Sequence, residues 1–117
     1  MKNSEVYKLE IFLPESHFDP VCRALWSVDA GHIGDYDRCL SWSRVNSCWR
    51  ALEGTSPYHG ETGQLTRAEE IKVEVCCRGD RLEETLAAVA AAHPYEEPVI
   101  NVLPLAATGL TGKNKKA

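Results

Sequence analysis

Apolar residues recur along this chain with two different periods, and each period marks a kind of element. Val6–Leu13 (VYKLEIFL) alternates as a strand does, and Pro14 ends it. Behind Asp19 and Pro20, an N-cap and a first-turn proline, Val21, Leu25 and Val28 recur at helical spacing. Ser16 offers a start one turn earlier, and Gly31 supplies the left-handed stop. CLSWSR and SCWRAL then read as a hairpin turning at Val45 and Asn46. Pairing Arg44 with Ser47 sets Trp42 opposite Trp49 and Leu40 opposite Ala51. Residues 53–66 hold three glycines and a proline without apolar periodicity before Leu65, a long loop of the kind that often carries function.

A clear half-buried strand spans residues 70–77, with Ile71, Val73 and Val75 on one face and Lys72 and Glu74 on the other. Asp80 with Glu83 resembles a capping box. Leu82, Leu86 and Val89 stripe the helix that follows, His93 extends the stripe, and Pro94 closes it. Residues 99–105 form a last strand, apolar enough to be central in a sheet. The order β-α-β-β-α-β predicts an α+β ferredoxin-like sandwich with an elaborated central hairpin, one face of its sheet covered by two helices. The uncovered face invites oligomerisation, and Trp42 and Trp49 suit a subunit interface or a stacked ligand.

Composition narrows the function. Of 117 residues, 44% are hydrophobic and 26% charged, ordinary for a globular domain. The net charge of −4 conceals an acidic body, since Lys113, Lys115 and Lys116 sit at the end and the rest carries 10 basic against 17 acidic residues. An acidic body argues against nucleic acid as partner. The polar start is no secretory signal and no stretch has membrane-spanning length, so a cytoplasmic protein without a membrane partner is expected. The five cysteines include no C-x-x-C pair and read as reduced, mostly packed thiols, with Cys76 and Cys77 on opposite faces of their strand. Cys39, seven residues after His32, is a nucleophile candidate without an identifiable third partner. Neither a P-loop nor a GxGxxG spacing occurs.

Two stretches carry candidate chemistry. HPYEEP, residues 93–98, sets an imidazole beside a phenol and two carboxylates, which suits a divalent metal or acid–base work. The structural alternative makes His93 a partly positive cap on the helix C-terminus, with both prolines fixing the strand entry. GHIGDYD (31–37) and the long loop place His32, Asp35, Tyr36, Glu53, Gly54, His59, Gly60, Glu61 and Gly63 where a ligand and backbone can approach closely. The alternative is that the glycines serve turns alone.

AGHIGDY (30–36), LEGTSPYHGETGQL (52–65) and HPYEEP stand in the order found in the CutA/PII-like inserted domain of the NGG-interacting factor three family, which this chain resembles, and more distantly in CutA-type proteins. The resemblance implies a trimeric ferredoxin-like fold and a stand-alone domain over residues 1–108; the lysines near the end make residues 109–117 a flexible basic tail. It also implies a ligand loop at residues 53–66 and, through the CutA link to divalent copper, a divalent metal ion at His93; His32 and His59 are the further metal-ligand candidates among the residues themselves. The larger flanking domain of the longer relatives, with its two metal ions, has no counterpart here, so their activity does not carry over. The expectation is a non-enzymatic homotrimeric module. It would bind a metal ion or small metabolite in intersubunit clefts through His32, Tyr36, Glu53, Gly54, Gly60, Glu61, Gly63, Tyr95, Glu96 and Glu97, with a regulatory or sensing role and room for a protein partner. The alternatives are a small metal-dependent hydrolase, or a structural or regulatory partner of a separate two-metal homologue.

Overall fold

The alternation at the start of the chain becomes strand β1, Val6–Leu13. Its Leu9, Ile11 and Leu13 are fully buried, while Lys8, Glu10 and Phe12 alternate with them and so point to the opposite face. A computed structural model describes residues 4–110 and adds helix α1 (Phe18–Ser27), strands β2 (Ser41–Arg50) and β3 (Leu65–Arg78), helix α2 (Leu82–Ala92) and strand β4 (Ile100–Pro104). The strands form one antiparallel sheet in the order β2-β3-β1-β4, the ferredoxin-like arrangement expected. Val21 and Leu25 of α1 and Val89 of α2 complete a core with Leu9, Ile11, Leu13, Ile71, Val73, Val75 and Cys77. Both helices therefore cover the same face. The other face carries a charge ladder in which Lys8 reaches Glu74 and Lys72 reaches Glu10 at 3.5 Å.

The hairpin at Val45 and Asn46 does not exist. β2 runs unbroken through both residues and pairs with β3 along its whole length, with Trp42 opposite Val73 and Trp49 opposite Thr66. A tight hairpin turn needs residues with positive φ, and those between the two strands are Gly54, Gly60 and Gly63. The loop over residues 51–64 is therefore the real connection, and β3 begins at Leu65 rather than at Glu70. Trp42 and Trp49 consequently lie on opposite faces of one strand. Trp42 packs on Phe18 at the start of α1, 5.0 Å between ring centres.

Other local expectations shift. α1 follows a 3-10 turn at Glu15–His17 and starts at Phe18, nearer the Ser16 alternative than the Asp19 cap. It ends at Ser27, and Asp29 is the first residue with positive φ. Gly31 acts instead as a clamp: its N–H donates to the Cys76 carbonyl at 2.8 Å and its carbonyl accepts from the Cys39 N–H at 2.9 Å. Asp80 caps nothing, because its carboxylate is paired with Arg78, and α2 begins at Leu82 behind Arg81. Pro94 does close that helix, with His93 forced into extended backbone (φ −83°, ψ 135°).

β4 is an edge strand and not a central one, and its Val102 and Leu103 remain more than a third exposed. The described chain enters through β1 and leaves through β4 side by side, with Tyr7 opposite Pro104 and the Leu105 N–H bonded to the Val6 carbonyl at 3.1 Å. No helix among the described residues is long and apolar enough to cross a membrane. The basic tail expected at 109–117 lies, from residue 111 onward, outside the described residues.

Candidate functional site

Where α2 stops, His93 is turned inward and is 6% exposed. Its Nε2 lies 2.7 Å from the Phe12 carbonyl oxygen, and its Nδ1 lies 3.2 Å from the Tyr95 backbone nitrogen. A carbonyl only accepts and an amide N–H only donates, so the ring is neutral, with its proton on Nε2. Burial holds its pKa below the usual value, against the opposing pull of the Phe12 carbonyl and Glu70. The expected positive cap on the helix dipole is therefore corrected. His93 is a neutral bridge from α2 to β1: one residue beyond the last β1–β4 pair at Ile11 and Ile100, the Phe12 N–H still donates to the Val99 carbonyl at 3.2 Å and its carbonyl accepts from His93.

This bridge sets the position of Tyr95. Its hydroxyl donates to Glu70 Oε2 at 2.8 Å, and Glu70 is itself only 5% exposed. Burial, with the Glu70 carboxylate beside it, pushes the phenol well above its usual pKa. Tyr95 also lies against Tyr58 and Trp49, with ring centres 5.8 and 5.9 Å away. The Trp49 indole N–H donates to the His59 carbonyl, and the Ser56 N–H donates to the Glu96 carboxylate at 3.2 Å. The long loop and HPYEEP thus close over the end of the sheet. Between them opens a cleft of about 510 Å³, walled by Phe12, Trp49, Tyr58, Tyr95 and Val99, with Glu70, Glu96 and Glu97 among its lining groups.

Of the candidates read from sequence, the cleft gathers His59, Tyr95, Glu96 and Glu97. Gly60, beside His59 in the loop, does not line it but packs on Thr66, where an added Cβ would lie 2.3 Å from Thr66 Oγ1. Gly54 and Gly63 have positive φ and open space around them, so they serve the turn, and Gly63 N–H is bonded to the Ala51 carbonyl. Glu53 and Glu61 are exposed on the same loop without lining the cleft. His32, Asp35 and Tyr36 lie elsewhere. GHIGDYD is pinned at Cys76, ten residues along β3 from Thr66, roughly 33 Å at strand rise. His32 there bonds Asp29 and the Gly34 carbonyl, and Cys39 Sγ faces the Asp37 carbonyl rather than an imidazole. The two glycine-rich motifs therefore do not meet within one chain.

Nor do the three histidines converge. Both ring nitrogens of His93 are engaged, His59 packs edge-on against Trp49, and His32 is at the far end. Among the described residues, no three His, Cys, Asp or Glu side chains are grouped to hold a metal ion. Sequence reasoning missed Phe12, Tyr58 and Glu70. For Glu70 a signal existed: it is the last acidic residue before the buried run and alternates onto the face away from the helices.

A family model described as CutA1 divalent ion tolerance protein matches residues 37–110, a stretch that includes every part of the cleft except Phe12. The chain belongs to the CutA1 family. It is 40% identical over 106 residues to a GTP cyclohydrolase 1 type 2 homolog of Halalkalibacterium halodurans, covering 91% of this chain and 28% of that protein. The crystal structure of a Bacillus cereus protein related to NIF3 superposes with a TM-score of 0.78 at 33% identity, covering 92% of this chain and 27% of that one. The PII-like protein CutA of Nostoc sp. PCC 7120, in apo form, shares the fold at a TM-score of 0.63 and 17% identity, over 86% of this chain and 81% of its own. This CutA1-family chain is thus a CutA/PII-like module that spans little more than a quarter of the curated relatives it matches. The resemblance drawn from the three motifs is borne out.

Proposed function

We propose that the chain is a homotrimeric binding module with a regulatory or sensing role, which takes a small ligand in the cleft between HPYEEP and the 51–64 loop. One observation carries the reading: a cleft of ligand size, about 510 Å³, is walled by four aromatic rings and faced by three carboxylates. Its walls are preset, because the His93 bridge and the Tyr95–Glu70 bond fix one side and the ladder from Trp49 to Thr66 fixes the other. Trimer formation is supported by the two sheet edges left unpaired among the described residues, β2 over ten residues and β4 over five. An unpaired strand edge is a template for another chain, and head-to-tail pairing of β2 with a neighbour's β4 closes a ring. A divalent ion remains the second reading, favoured by the family's description as divalent ion tolerance proteins. Its ligands would have to come from more than one copy, because the chain's own histidines are apart.

Native mass spectrometry of untagged protein purified without chelators tests both readings. The expected result is a trimer carrying up to three equal additional masses, whose value separates a metabolite from a metal ion. A monomer with no added mass overturns the proposal.

A further inference from the structure

Glu70 is a nearly buried carboxylate whose only hydrogen bond among the described residues comes from a neutral donor, the Tyr95 hydroxyl. No Lys or Arg among the described residues pairs with it. Lys72, next on the same face, is turned to Glu10 and lies over the Phe12 ring, and Arg44 is held by Glu15 and Glu69. Arg50 lines the cleft but forms no ion pair with Glu70, Glu96 or Glu97. Glu70 lines the cleft, so a nearly buried carboxylate without a cationic side chain beside it faces the space a ligand would enter, and a positive group there would gain a charge-assisted hydrogen bond. The walls around it have the same preference. Trp49, Tyr58 and Tyr95 line the same space, the first two with ring centres 5.9 and 5.8 Å from that of Tyr95, and aromatic rings attract positive charge.

Accepting the cleft as a ligand site, we propose that its ligand is a small organic cation: an ammonium or guanidinium group seated at Glu70, on an apolar body lying against Trp49, Tyr58 and Tyr95. The volume and the rings suit an organic body, and the lining groups lack the set of donors that a bare metal ion requires. Glu96, already accepting from the Ser56 N–H, holds the loop closed over the ligand, and Glu97 adds negative charge to the cleft.

A matched set of probes tests this: 2-phenylethylamine, 2-phenylethanol and 3-phenylpropionate, each titrated into the full chain while the Trp49 indole N–H is followed by NMR. The amine is expected to bind at least tenfold more tightly than the alcohol, and the carboxylate not to bind. Glu70→Gln should weaken the amine at least tenfold and leave the alcohol within twofold. Equal binding of amine and alcohol overturns the cation inference and leaves the cleft a ligand site. No shift with any probe overturns the inference together with the ligand-site reading. Undiminished amine binding in a folded Glu70→Gln protein overturns the role of Glu70. If that variant does not fold, the ratio measured on the unaltered chain decides alone.

Discussion

Replacing His93 with alanine tests the claim that a neutral imidazole joins α2 to β1. The substitution removes two hydrogen bonds, one to the Phe12 carbonyl at 2.7 Å and one from the Tyr95 N–H at 3.2 Å. Both partners are backbone groups in a largely covered site, and the β1–β4 ladder stops one residue short of Phe12. An orphaned buried polar group costs about 1–3 kcal/mol, and the half-buried Tyr95 amide belongs at the low end of that range. The sum is about 2–4 kcal/mol, which for a domain of this size lowers Tm by roughly 10–20 °C. His93→Gln, whose amide offers one donor and one acceptor at similar reach, is expected to recover about half of the loss. Thermal unfolding followed by far-UV circular dichroism, at one fixed protein concentration so that assembly does not distort the comparison, measures both. A fall of less than 3 °C in the alanine variant refutes the bridge. So does a glutamine variant no better than alanine, because the loss then reflects volume and not hydrogen bonding.

The same residue gives the fold a pH dependence of known sign. Its folded pKa is lowered, so below about pH 6.5 the unfolded chain takes up a proton that the folded chain refuses. Stability therefore falls as the pH drops through that value and levels off once the buried ring is itself protonated. Glu70, His17 and Tyr95 face the ring and set where that occurs. Urea midpoints between pH 7.5 and 5 should show the slope in the unaltered chain and a shallower one in His93→Gln; matching slopes would falsify the assignment. Gly31→Ala is expected to destabilise by more than about 2 kcal/mol, since its Cβ would lie 2.3 Å from the Cys39 carbonyl oxygen at a φ of +80°. Gly54→Ala, with positive φ but open space around it, should cost only about 1 kcal/mol, and denaturant midpoints that rank the two in the opposite order would contradict the clamp.

The core was legible because its residues must alternate. Leu9, Ile11 and Leu13 against Ile71, Val73 and Val75 leave one arrangement in which both strands bury the same face. Edges were not, because an edge strand has no periodic burial to impose a pattern. β2 is exposed at seven of its ten positions, so its sequence accommodated a hairpin as readily as one long strand. Val45 argues against the hairpin, since a β-branched residue is a poor choice for a turn with positive φ. The first residues of β3 were hidden for the same reason: Leu65, Arg67 and Glu69 are exposed and are held in the sheet by their partners in β2. At the site, HPYEEP and the loop were visible as motifs, but their meeting depends on where the β2–β3 ladder ends. For Glu70, alternation reveals its place before the buried run and its side of the strand, whereas its burial and its bond to Tyr95 depend on how HPYEEP returns to the sheet.

One feature of the sheet bears on how such a unit travels between proteins. The first and last strands of the described fold are hydrogen-bonded neighbours, joined at Val6 and Leu105. Any polypeptide interrupted at a surface turn could accept this unit with its two cut ends left about one strand spacing apart, roughly 5 Å. The host would keep its own backbone path, and the guest would fold on contacts made within itself, its strands pairing with one another. A fold with that geometry can be spliced in or out at little structural cost to either party. The same architecture therefore serves both as a fraction of a longer protein and as the greater part of a shorter chain.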